Sequence, residues 1–127
     1  MMQRIILTVI LFASPLFASP LYAQMNAGTL AEHCRTAVAW VGGADARATF
    51  EIRSCYSYVV GIADAHKYLV AAGKMASPGF CVITEITDKQ LANVFLSYYN
   101  RDRTKLEFVP AAEVVLKAMF DKFPCKS

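Results

Sequence analysis

The chain has 127 residues, of which 56% are hydrophobic, 18% charged and 12% aromatic, with a formal net charge of +3. That is enough for one modest domain and leaves little room for a second. The apolar share excludes intrinsic disorder, and the low Gly and Pro counts exclude a fibrous or low-complexity chain. The densest basic stretch, Arg101-Asp102-Arg103-Thr104-Lys105, is interrupted by an acid, which argues against a nucleic-acid partner.

Residues 1–23 read as a secretory signal. Arg4 is the only charge in the segment, Ile5 to Phe17 has the length of an apolar core, and Pro15 and Pro20 break the helix behind it. Leu21-Tyr22-Ala23 offers a cleavage site after Ala23, and Leu16-Phe17-Ala18 offers the same form after Ala18. The apolar run is too short for a membrane anchor, which takes about 20 apolar residues. The mature part, residues 24–127, is therefore expected to be exported to the periplasm, with no membrane attachment after cleavage.

The mature part predicts four helices. The first opens at Thr29-Leu30-Ala31-Glu32, a capping-box pattern, and runs to about Trp40 before Gly42-Gly43. The second runs from about Ala46 to Ala72. Ile52, Cys55, Val59, Ile62, His66 and Leu69 recur along it at steps of three and four, forming one apolar stripe, and Gly73 stands at its C-cap. A second face carries Ser57, Gly61 and Asp64. The missing side chain at Gly61 suggests close approach of another backbone, which would make this helix central and touched on two sides, with Asp64 hydrogen-bonded to a neighbour.

Ala76-Ser77-Pro78-Gly79 is a predicted turn, and Cys81-Val82-Ile83-Thr84 an extended or irregular piece. Thr87-Asp88-Lys89-Gln90 is a second capping box, opening a helix with Leu91, Val94, Phe95 and Tyr98 on one face. Asn100 to Lys105 reads as a polar loop. Pro110 suits the first turn of a fourth helix, whose apolar side holds Val115, Leu116, Met119, Phe120 and Phe123, with Pro124 ending it.

Four cysteines, Cys34, Cys55, Cys81 and Cys125, all lie in the mature part. Their spacings do not suit zinc, and no C-x-x-C or haem motif occurs. Two disulfides in an oxidising compartment fit better. Helices joined by short loops pack antiparallel, so facing residues lie symmetrically about the turn. Cys34 and Cys55 are symmetric about a point between residues 44 and 45, and Cys81 and Cys125 about residue 103. Both points fall at predicted turns. Of the three possible pairings this selects Cys34–Cys55 and Cys81–Cys125, one per hairpin.

No catalytic constellation emerges. His33 and His66 are the only histidines. His66 lies on the apolar stripe, where a core role is expected. His33 adjoins Cys34, which an oxidised sulfur would disqualify as a nucleophile. Tyr56, Tyr58, Tyr98 and Tyr99 are expected to pack in the core with hydroxyls at its rim. The residues thus predict a non-enzymatic all-α domain, a small bundle of about four helices with two disulfides and no cofactor or metal.

Several motifs line up in order: Leu30-x-x-x-Cys34, the run Cys55-Tyr56-Ser57-Tyr58-Val59-Val60-Gly61-Ile62-Ala63-Asp64, Phe80-Cys81, Thr87-x-x-Gln90-Leu91, Pro110-Ala111-Ala112 and Phe123-Pro124-Cys125. Together they resemble the Rap/Tai family of periplasmic immunity proteins, with Tyr58, Gly61 and Asp64 falling in its most specific element. The resemblance implies a small helical, disulfide-bonded fold that protects Gram-negative bacteria against peptidoglycan amidase effectors delivered by type VI secretion. Ile83 stands where the family often has proline, and Arg101-Asp102-Arg103 replaces a His-Pro-like turn. Both departures lie in connections, where partner specificity tends to sit. The amidase would be the protein partner, and the exposed stretches Asn100–Lys105 and Lys74–Phe80 are candidates for contact. The residues leave open a homodimer, and two other roles: an acid-stress chaperone-like protein of the periplasm, or a structural envelope subunit.

Overall fold

A computed structural model describes residues 24–43, 45–75, 79–81 and 85–126. The expected signal, most of the Ala76–Gly79 turn and residues 82–84 lie outside the described residues. Five helices follow in order: α1 (Ala27–Ala39), α2 (Ala46–Ala71), α3 (Asp88–Tyr99), α4 (Arg103–Leu106) and α5 (Ala111–Lys122). Among the described residues there are no strands, and Asn26 and Pro110 form an isolated antiparallel bridge. The fold is all-α, as expected. The extra helix is α4, a single turn within and just past the stretch Asn100–Lys105 that reads as a loop.

Helix α1 begins three residues before its expected start. Asn26, not Thr29, is its N-cap, and the Asn26 Oδ1 accepts from the Thr29 N–H at 2.8 Å. The Thr29–Glu32 capping box is therefore not formed. The first N–H groups find a partner elsewhere: Ala27 donates to the Val109 carbonyl (2.8 Å) and Gly28 to the Glu107 carbonyl (2.9 Å), while the Leu30 N–H donates to the Asn26 carbonyl (3.2 Å). The three N–H groups at the start of the helix that have no partner within it, those of Ala27, Gly28 and Thr29, are thus satisfied, and the Leu30 bond is the first of the helical ladder. Gly28 permits this approach, because a Cβ there would lie 2.9 Å from Glu107 Cγ and 3.1 Å from the Glu107 carbonyl oxygen.

Helix α2 is capped by Asp45 and ends in a Schellman motif. Gly73 takes φ +65°, its N–H donates to Val70 and the Lys74 N–H donates to Leu69. The capping box at α3 is formed: the Gln90 N–H donates to the Thr87 hydroxyl and the Thr87 N–H to the Gln90 side chain. Pro110 sits at the N-cap of α5, one position before its first turn.

The core forms where α1 packs against α2, α3 and α5. Leu30, Cys34, Cys55, Val59, Phe95, Val114, Val115 and Met119 are fully buried there. Helix α1, touched by all the other helices, is the centre in place of α2. Val114, Ala92 and Leu96 join the core beyond the residues expected, and Phe120 instead lies at its edge. On α2 the expected second face is open: Ser57, Gly61 and Asp64 are exposed, and nothing lies within 4 Å of a Cβ built on Gly61.

Both disulfides pair as the hairpin symmetry predicts. Cys34–Cys55 joins α1 to α2 with Cα atoms 5.0 Å apart. Cys81–Cys125 joins the stretch before α3 to the stretch after α5, with Cα atoms 4.8 Å apart. Beside it the Cys81 N–H donates to the Phe123 carbonyl at 2.8 Å.

Candidate interaction surface

With both cysteine pairs oxidised, the thiols are structural. No group of three or more His, Cys, Asp or Glu side chains could hold a metal among the described residues. His33 Nδ1 lies 2.9 Å from the Ser54 Oγ, and its neighbour Cys34 is held in a disulfide. No described helix is long and apolar enough to cross a membrane. What the surface offers is two apolar places and one polar cleft.

The first is the tip of the α1–α2 hairpin. Trp40, Val41 and Phe50 are exposed, Val41 completely. Gly42 and Gly43 turn the chain with φ +121° and +122°, a region that side chains other than glycine rarely enter. The tip is braced from behind. Phe50 packs edge-on to the His33 ring, 5.7 Å between centroids. The Tyr56 hydroxyl donates to the Ala37 carbonyl at 3.0 Å. Glu51 accepts from the Thr36 hydroxyl and from Arg47 Nε, and these two hydrogen bonds hold its carboxyl below the usual range. Below these contacts sits the Cys34–Cys55 bridge.

The second place is the far end of α2, where Tyr68, Leu69 and Val70 are exposed. Beside them Ile62, Leu69, Met75, Leu116 and Phe120 line a shallow apolar cavity of about 170 Å³. His66 forms part of its wall. Its ring stacks on Phe80 at 3.6 Å with 14° between planes, and Phe120 lies tilted at 6.3 Å. The imidazole is buried, its Nε2 has no hydrogen-bond partner, and burial pushes its pKa below 6.5.

The third is a polar cleft of about 440 Å³ at the start of α1, walled by Glu32, Arg35, Tyr99, Arg103 and Glu107, with the exposed Phe108 on its rim. Arg35 lies over the Tyr99 ring, 5.9 Å from its centroid.

The candidate contact stretches look different from these. In Asn100–Lys105 the charges are engaged within the chain: Arg101 pairs with Asp121 (2.8 Å), Lys105 with Asp102 (3.1 Å), and Arg103 donates to the Asn100 side chain (3.0 Å). In Lys74–Phe80 the described residues end on Phe80, which is buried. Tyr58 is half-buried, and burial raises its phenol above 10. Asp64 faces solvent and has no hydrogen bond or ion pair among the described residues, so it does not tie α2 to a neighbour. The exposed tip residues escape sequence reasoning because single apolar residues near glycines carry no periodic signal.

A family model of Rap1a immunity proteins matches residues 26–125. No curated protein and no solved structure matches the chain.

Proposed function

The chain belongs to the Rap1a immunity proteins, and on that premise we propose that it acts in the periplasm as the antidote to a peptidoglycan amidase effector of type VI secretion. It binds the amidase and blocks its cleft, and does no chemistry itself. The observation that carries this reading is the family match, which spans the fold from the Asn26 cap to Cys125. The geometry supports it in two ways. Both hairpins are stapled, so a contact surface presented on them loses little freedom on binding. The α1–α2 tip is exposed, apolar and aromatic, which suits contact with an enzyme cleft. Trp40, Val41 and Phe50 are accordingly the contact residues proposed for the effector.

The test expresses a candidate peptidoglycan amidase effector in the periplasm, with and without this protein. Rescue from lysis and a purified one-step complex are expected, and both should weaken in the Trp40→Ala/Phe50→Ala variant. Continued lysis with no complex overturns the reading for that pair.

A further inference from the structure

Phe80 and Cys81 are held to the bundle by four contacts: the His66 stack, the tilted packing of Phe80 on Phe120 (5.6 Å), the Cys81 N–H bond to Phe123, and the Cys81–Cys125 disulfide. Three of these can break and reform without chemistry. Only the disulfide is permanent. Gly79 leads into this segment pressed against the Phe120 ring, with no room for a Cβ.

His66 is the one buried polar side chain of the described core. Its Nε2 is sealed from water and unpartnered. A proton added there would create a cation with neither water nor an acceptor to receive it, which is costly. Among the described residues no carboxylate pairs with the ring, and Glu85, beyond Cys81, is exposed. On α2, Asp64 and Lys67 are exposed. From α5, Leu116 and Phe120 face the ring, Lys117 is paired with Glu113, and Asp121 is paired with Arg101. Lys122 and Lys126 are exposed. From the neighbouring chain come Lys74, which is exposed, Met75 and Phe80. Residues 76–78 and 82–84 contain no titratable side chain. Burial alone shifts the His66 titration.

We infer that His66 and Phe80 form an acid-operated latch: protonation of His66 releases Phe80, and the Phe80–Cys81 segment swings away from α2 and α5 while the Cys81–Cys125 bridge keeps it tethered for return. The open state exposes Phe80, Ile62, Leu116 and the other face of Phe120, merging the small cavity with the apolar end of α2. The direction of the pH effect follows from proton binding. Closed His66 takes its proton at lower pH than open His66, so the open state holds more proton, up to one, as pH falls from 6.5 toward the depressed closed-state value. The ratio of open to closed then rises as pH falls through that window, by at most tenfold per pH unit, and is flat above it. Such a device supplies from a single imidazole the acid-dependent exposure of apolar surface that a chaperone-like protein needs. It does not depend on any effector.

The experiment is hydrogen exchange on the full mature, oxidised protein between pH 7.5 and 4.5, read at the Cys81 amide and corrected for intrinsic exchange. A dye that fluoresces on apolar surface is followed in parallel. Opening of Cys81 should rise as pH falls below 6.5, by at most tenfold per pH unit, while the Phe95 amide in the core stays protected. In His66→Phe, which keeps the stack and cannot take a proton, the pH dependence at Cys81 should vanish. His33→Gln should leave it intact. Flat protection at Cys81 in the wild type overturns the inference, as does an unchanged acid slope in His66→Phe. Should His66→Phe not fold, the nitrogen shifts of wild-type His66 decide: titration coincident with Cys81 opening supports the latch, and titration without opening refutes it.

Discussion

Replacing Cys34 and Cys55 together by alanine removes a cross-link between residues 21 apart, and replacing Cys81 and Cys125 removes one between residues 44 apart. Chain entropy alone assigns about 3.3 kcal/mol to the shorter loop and about 4.0 kcal/mol to the longer one at 25 °C. On that basis the second bridge should matter more. Burial reverses the order. Cys34 and Cys55 are 0% exposed, so each alanine also leaves a sulfur-sized hole. Lost transfer energy is roughly 0.8 kcal/mol for a group of methylene size, before any cavity cost. Cys81 and Cys125 are only half-buried and forfeit less. The expected losses are about 5 kcal/mol for the first bridge and about 4 kcal/mol for the second. Urea unfolding followed by far-ultraviolet circular dichroism measures both. The slope should steepen in each variant, because the unfolded chain gains freedom and surface. A larger loss for the Cys81/Cys125 variant refutes the burial argument, and a loss below about 1 kcal/mol for Cys34/Cys55 refutes the entropy argument with it.

Two glycines in helices should respond in opposite directions to alanine. Gly61→Ala places a methyl group in open space on α2 and should stabilise the protein by up to about 1 kcal/mol, read as a higher Tm. Gly28→Ala drives a methyl group into Glu107 and should lower Tm despite the same helix-propensity gain. Thr87→Ala deletes one half of the α3 capping box and should cost about 1 kcal/mol in urea unfolding. Tyr56→Phe removes the hydroxyl bonded to the Ala37 carbonyl near the end of α1 and should cost about 1 kcal/mol by the same measurement. Trp40→Ala/Phe50→Ala removes exposed side chains, so Tm should stay within a degree or two while effector binding falls at least tenfold.

Features written in local chemistry are legible in the amino-acid order alone. The Thr87–Gln90 box and the Gly73 cap rest on residues within a turn or two of each other, the stripe from Ile52 to His66 on successive residues one turn apart, and each is present. The disulfide pairing is legible because hairpin geometry converts sequence symmetry into contact. Sequence and fold part company where distant chain decides. The Thr29 box is locally sound, but carbonyls of residues 107 and 109 satisfy the earlier N–H groups and extend α1 back to Ala27. Gly61 reads as a packing site because a missing side chain has the same appearance in sequence whether a neighbour fills the space or water does. The stripe on α2 also fades at Leu69, which is 40% exposed at the edge of the cavity it shares with Leu116 and Phe120. The Trp40–Phe50 tip has no pattern to betray it.

The backbone bonds from Ala27 and Gly28 to residues 107 and 109, with the Ala111 N–H returning to the Met25 carbonyl at 2.9 Å, have a kinetic corollary. Synthesis delivers the start of α1 first and its acceptors roughly 80 residues later, so the opening turn of the central helix cannot be completed on a nascent chain. Until the segment bearing Glu107 to Ala111 emerges, the polypeptide remains an unfinished assembly. A chain halted short of Ala111 should therefore stay open to proteases and to any machinery that requires an unfolded passenger.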